Sequence, residues 1–272
     1  MGIPVDFWVP ATDRVPPQHS DQVAAGWSWQ LTGGEWEATV EGYYKWMRDL
    51  IDYDEGYNYI SGVRSGWENA VATDGRGWTY GAELLWRKHR GRLRGWLGYT
   101  LSWNWRRFED INEGMRYPFR YDRRHDLNLT AMFSLRPGIQ LSGSWVYSTG
   151  QAITLATGRH ESFFQDRLSY PMPHDPLSLD VAGDIRLYEA GRNNFRMRAY
   201  HRLDLGVSFV KEKAWGSRTW RLGLYNAYNR RNPFYYELRQ RYEPSQGRIG
   251  ELYLVQISLF TILPSVSYGV AF

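Results

Sequence analysis

Apolar and polar residues alternate with a period of two along most of this chain. At its end, Val266, Tyr268, Val270 and Phe272 share one strand face, while Ser265, Ser267, Gly269 and Ala271 share the other. Such alternation predicts a strand between two unlike environments. An apolar outer face against a polar lumen is how a transmembrane β-barrel is built. The same rule predicts strands over Val23–Leu31, Trp36–Trp46, Trp78–Trp86, Leu93–Trp103, Leu127–Leu135, Ile139–Tyr147, Leu203–Phe209 and Trp220–Leu224. Several of these begin or end in Trp, as interfacial girdles do. Spans of roughly 9 to 11 residues fit a tilted membrane strand. A soluble sandwich alternates too, so the face that carries the aromatics and the variation in the connections decide between them.

The connections alternate in length. Thr32–Gly34, Lys88–Arg92, Arg136–Gly138 and Lys211–Ser217 are short and rich in turn formers; Asp52–Asp74, Arg106–Arg124, Thr149–Tyr200 and Asn229–Gly250 are long. Outer-membrane barrels keep short turns in the periplasm and long loops outside. If the C-terminus lies in the periplasm, Leu252–Phe272 crosses once, as one long strand bent near Pro264; a hairpin turning at Phe260–Pro264 is the alternative. The count is then nine strands, the first descending from outside. We expect residues 1–21 to be an extracellular loop remnant and residues 22–272 to be the C-terminal strands of a larger antiparallel barrel. Single-chain bacterial barrels have even strand numbers, and Met1–Asp6 shows no basic and apolar export signal, so an upstream portion is expected outside this sequence.

Composition narrows the class without adding chemistry. Aromatics make up 17% and charged residues 23%, which leaves little room for helical spans; Pro264 and the alternating polar positions argue against a helix over Leu252–Phe272. The chain has no Cys, which excludes disulfides and thiolate metal sites. A net charge of +4, carried mostly by Arg, gives little support to nucleic-acid binding.

Several motifs, in order, resemble a family: Pro16–Gln22 ahead of a descending strand, Glu41–Lys45, Tyr80–Glu83, Tyr121–Asp126, Tyr200–Leu205, Tyr225–Tyr235 and Leu263–Tyr268. The series resembles the C-terminal barrel of TonB-dependent outer-membrane receptors, in particular the Bacteroidetes-type group with a carboxypeptidase-regulatory-like domain. Phe272 after its strand is similar to the C-terminal signal of outer-membrane proteins, which makes Tyr268, Val270 and Phe272 the candidate assembly signal. The resemblance implies a barrel of about 22 strands, of which this chain supplies about nine. It also implies a plug domain, earlier strands and a TonB contact upstream, the barrel-assembly machinery and lipopolysaccharide as partners, and active import of a scarce solute such as a glycan, siderophore, cobalamin or peptide.

Alternatives stay open. A passive porin needs only a polar lumen, and an outer-membrane hydrolase would use His125 or His201 with Ser102 or Ser144, in no diagnostic spacing. His160, Glu161, His174 and Asp175 match no defined metal site, so neither catalytic residue, metal nor cofactor is expected. The charges Asp126, Arg202 and Asp204 fall on the lumen face and are expected to form ion pairs at the barrel rim. Loop aromatics among polar neighbours suit stacking on a ligand or packing of the loops; Tyr57, Trp67, Tyr117 and Tyr121 are the candidate substrate contacts.

Overall fold

The computed structural model describes residues 10–54, 67–161, 185–189, 191–243 and 248–272. Its strands are β1 (His19–Leu31), β2 (Trp36–Tyr53), β3 (Val71–Lys88), β4 (Leu93–Arg107), β5 (Tyr117–Pro118), β6 (His125–Arg136), β7 (Ile139–Ser148) and β8 (Ala152–Ile153). They continue as β9 (Ala156–Glu161), β10 (Ile185–Glu189), β11 (Phe195–Arg196), β12 (Tyr200–Lys213), β13 (Gly216–Tyr225), β14 (Tyr235–Glu243), β15 (Arg248–Ile257) and β16 (Leu263–Ala271).

Nine of them form one antiparallel meander in the order β1-β2-β3-β4-β6-β7-β12-β13-β16. These are the nine spans that alternation predicts. Among the described residues β1 pairs only with β2 and β16 only with β13, so the sheet is an open wall with two free edges. No described helix is long and apolar enough to cross a membrane.

The wall has two chemically distinct faces. Val23, Trp27, Val40, Leu129, Phe133, Leu141, Leu205, Trp220, Val266 and Tyr268 are exposed on one. The other carries Glu41, Glu83, Thr100, Asn128, Ser144 and Ser208, which the pairings Glu41↔Glu83↔Thr100 and Asn128↔Val146 place on alternate positions. So large an apolar face needs a cover, and a bilayer supplies one. On β2, Trp36 and Trp46 bracket the outward face ten residues apart. At about 3.3 Å per residue and a tilt near 45° they stand roughly 23 Å apart along the membrane normal, close to the ~25 Å height of the apolar band of such barrels.

The short connections gather at one end with the terminus: Ala271 pairs with Ser217, and the Phe272 ring lies 5.6 Å from Trp215. At the other end β2 and β3 run past the outward sets that alternation marks out. The register shifts between Met47 and Leu50 and again before Asp52, and Asp49 and Asp74 take left-handed φ of 55° and 59°. Asp tolerates that region. The resulting bulges hide the period-two signal and turn Leu50 inward.

There Leu50, Ala72, Phe108, Ile111 and Tyr117 form the buried cluster, with Met47 packed against it. Gly75 lies under Phe108, so a Cβ there would run into the ring. We expect Gly75→Ala to cost about 1–3 kcal/mol by overpacking, whereas Gly42→Ala, whose Cβ would meet nothing nearer than the Gly81 carbonyl at 3.9 Å, should be close to neutral. Urea unfolding in lipid vesicles, followed by tryptophan fluorescence, would separate them.

One expectation needs correction. Leu252–Phe272 is not a single strand bent at Pro264. β15 ends at Ile257, residues 258–262 are irregular, and Pro264 sits inside β16 opposite Leu224. β15 pairs with β14 in a separate hairpin, so the span expected as a loop over Asn229–Gly250 is largely strand. The cause is a change of partner. Between Tyr225 and Tyr235 the ascending chain turns rather than running extended, leaving residues 258–262 no strand to pair with. The break is pinned instead by Ile262 N–H donating to Asn229 Oδ1 (3.1 Å) and Phe234 N–H to the Ile257 carbonyl (2.8 Å). Pro264 stands at the start of β16, which is an edge strand among the described residues, so its missing N–H breaks no ladder to another described strand. After Gly250 the chain contributes only one strand, β16, to the wall.

Candidate functional site

Three polar knots tie described parts of the long connections to the loop end of the wall. The second and third are built from the ordered motifs.

The first knot closes on Asp52. Its carboxylate accepts from the Tyr117 hydroxyl (2.8 Å) and from Arg192 Nη2 (2.7 Å), joining the end of β2 to two distant loops. Burial, reinforced by the Asp52 charge, pushes the Tyr117 hydroxyl well above the ordinary tyrosine range, so it stays a donor. The Arg192 N–H donates to Asn112 Oδ1 (2.9 Å), and Arg106 lies 4.2 Å from the centre of the Phe119 ring.

Asp122, 1% exposed, centres the second. It accepts from the Asn104 N–H (2.6 Å), from Arg124 Nη2 (3.4 Å) and from Arg196, which also donates to its backbone carbonyl. Arg196 belongs to β11, which pairs with β8 and folds the longest connection back on the wall.

At the third, Asp204 accepts from Arg202 Nε (2.9 Å) and from the Asn226 N–H (2.9 Å). Arg202 also donates to the hydroxyls of Tyr200 and Tyr225. The buried Asn226 brackets Arg230 with both ends of its amide. Asn226 and Asn229 both sit at φ 55°, a conformation Asn tolerates better than most residues.

Arg202 and Asp204 do form an ion pair. For Asp126 the expectation fails among the described residues: it is exposed and has no ion-pair partner, and Asp122 takes the arginines instead. Asp126 lies in the β6 ladder opposite Thr100 and Ser148, whereas Asp122 sits in the loop, where the crossing segment reaches it. Sequence spacing could not show this contact over 74 residues.

The candidate contacts separate. Tyr117 is 1% exposed and committed to Asp52; Tyr121 is 48% exposed, edge-on to Phe119 with Arg120 over its ring. Trp67 opens a short 3-10 turn, half-buried. Tyr57 lies outside the described residues, as do His174 and Asp175. Among the described residues no cluster of His, Asp and Glu could hold a metal. Tyr268 lies tilted against Trp220, ring centroids 4.7 Å apart, on the apolar face, where Val270 and Phe272 are also exposed.

One feature of the wall escapes a reading strand by strand. Glu41 and Glu83, each inside a quoted motif, face one another across β2 and β3 on the lumen side. Like charges so placed repel, and neither has an ion pair to a described residue.

A family model described as TonB dependent receptor-like, beta-barrel, matches residues 7–229. The chain belongs to that family. No curated protein matches it in sequence. Among solved structures it is similar to the ferric-catecholate import receptor Fiu of E. coli K12, at 11% identity and a TM-score of 0.53, over 96% of this chain and 29% of that one. It is also similar to FpvA of P. aeruginosa, solved bound to heterologous pyoverdines, at 10% identity and a TM-score of 0.50, over 84% of this chain and 26% of that one. The chain thus spans less than a third of the length of these receptors, and the likeness speaks for the shared barrel wall. The family is one of outer-membrane receptors.

Proposed function

We propose that this chain is the C-terminal barrel segment of a TonB-dependent active transporter that imports a scarce solute across the outer membrane. The observation that carries this reading is the nine-strand wall: lipid-compatible outside, polar inside, and with family motifs spent on tying described parts of the long connections to its loop end. In this reading the short-turn end, with Phe272, faces the periplasm, residues 1–21 enter from outside, and the remaining strands and a plug complete the barrel and contact TonB. The opposed Glu41 and Glu83 support a plug, because two lumenal carboxylates in register call for a cation that the wall does not supply. Tyr268, Val270 and Phe272 are the proposed contact for the barrel-assembly machinery, and Tyr121 and Trp67 the proposed solute contacts.

Glycans, ferric siderophores, cobalamin and peptides are the solute classes to test. Cells lacking the gene for this chain and cells lacking TonB would be compared for accumulation of each labelled solute at nanomolar supply. One solute whose uptake requires both is expected. A solute that needs the chain but not TonB would replace active transport by a passive pore.

A further inference from the structure

At the short-turn end of the lipid face, four cations gather around two aromatic rings. Phe209 and Trp220 face one another across β12 and β13, both exposed on the outward parity. One step beyond them on the same face Lys211 is the Cα partner of Arg218, and Lys213 follows by alternation. Arg136 arrives from the neighbouring turn. A register shift after Ser134 sets it opposite Ile139, which pairs in turn with Phe209. That turn is held against β12 by the Val210 N–H, which donates to the Gly138 carbonyl at 2.7 Å. Gly138 is required there: its φ is 79°, and a Cβ would stand 2.4 Å from the Val210 carbonyl oxygen. Arg136, Ile139, Phe209, Lys211, Arg218 and Trp220 line the resulting open groove of about 600 Å³.

Among the described residues none of the four cations has an ion-pair partner, whereas Arg87 and Lys88 at the same end are paired with Glu37 and Glu35. Two acidic groups lie near. Glu212 stands between the two lysines, but alternation turns it to the opposite face, and the carboxylate of Phe272 pairs with none of the four. Lys211 and Arg218, in register on one face, repel one another. All four cations are exposed just past the rings, where an apolar belt gives way to lipid headgroups. An anion that fits this place carries phosphate for the guanidinium forks and hydrocarbon for the ring floor. It is also wide. From Arg136 on β6 to Arg218 on β13 is three strand spacings, about 14 Å between backbones, more than one phosphate spans. A headgroup with two phosphodiesters matches both the width and the excess of charge.

We propose that this groove binds a phospholipid of the cardiolipin class, with one phosphate toward Arg136, the other between Lys211 and Arg218, and the acyl chains lying over Phe209 and Trp220. The proposal rests on the reading that the short turns face the periplasm, which places the groove in the glycerophospholipid leaflet of the outer membrane.

The test is native mass spectrometry of the intact receptor in detergent, given cardiolipin, phosphatidylglycerol, phosphatidylethanolamine or lipid A at equal concentration. Cardiolipin should be retained at least about tenfold better than each of the others. R136Q/K211Q/K213Q/R218Q should abolish that preference, whereas R90Q/R92Q, which removes charge from another short turn, should keep it. R136K/R218K should keep part of it, since lysine retains the charge without the fork. Heat-modifiable migration verifies that each variant is a folded barrel. An undiminished preference in the glutamine variant overturns the proposal, as does an equal loss in R90Q/R92Q. Equal retention of phosphatidylglycerol overturns the two-phosphate headgroup, and a preference for lipid A overturns the leaflet. Orientation is checked separately. This chain has no Cys of its own, so A214C, in the turn after Lys213, supplies a single label site on it. A membrane-impermeant maleimide should reach that site only once the outer membrane is permeabilised; labelling on intact cells would overturn the periplasmic placement even with the cardiolipin preference intact.

Discussion

Replacing Leu129 by Arg should destabilise the intact receptor by about 2–4 kcal/mol, the cost of a cation near the bilayer midplane on the lipid face of a barrel. Leu129 lies near the middle of β6, is 44% exposed, and has Leu97 and Trp145 as its cross-strand partners. No described protein segment covers it, so the charge would have only hydrocarbon around it. The matched control is Asn128→Arg, one residue away on the lumen face, where water solvates the guanidinium and the expected change is within about 0.5 kcal/mol. Urea unfolding into lipid vesicles measures both, and the amount of each variant in the outer membrane should follow the same order. Equal effects at the two positions would mean that the apolar face is covered by protein, not lipid.

The comparison succeeds or fails on alternation, and alternation is also why so much of the wall could be read from the chain. A strand between lipid and water must change polarity at every residue, so Trp220, Leu222 and Leu224 announce β13 without help from any neighbour. Legibility ends where that two-solvent constraint ends. Beyond Trp46 and Trp78 both faces meet protein or water, bulges at Asp49 and Asp74 shift the parity, and the extensions of β2 and β3 give no periodic signal. The hairpin of β14 and β15 pairs outside the main sheet, so alternation there did not say which strand it would meet. The motifs were visible as strings, but their work was not. Strand face alone points to Asp126, Arg202 and Asp204 as the rim ion pairs; that holds for Arg202 with Asp204, but face says nothing of Asp122, whose partner Arg196 arrives from the far side of the longest connection.

That missed residue carries the second large effect. Asp122→Ala should cost about 3–5 kcal/mol, the usual result of removing one partner from a buried charge pair. Two arginines would lose their carboxylate, and the Asn104 N–H, now 2.6 Å from Oδ1, would lose its acceptor. The Arg196 side chain is 40% exposed and the Arg124 side chain 25%, so water recovers part of their solvation and the loss should fall toward the lower end. Since Asp122 joins the Arg116–Arg124 segment to β11, the cost should appear as local opening at the rim, with the wall below intact. Trypsin added to intact cells reads this directly. At about 3 kcal/mol, cleavage after Arg120, Arg123 or Arg124 should rise roughly a hundredfold while the barrel keeps its heat-modifiable migration. Asp126→Ala, four residues on, removes a carboxylate of the same motif with no described ion pair and should leave cleavage nearly unchanged. If the two variants opened the rim equally, Asp122 would be an ordinary loop carboxylate, and the motif's charges would need another role, with solute contact the first to test.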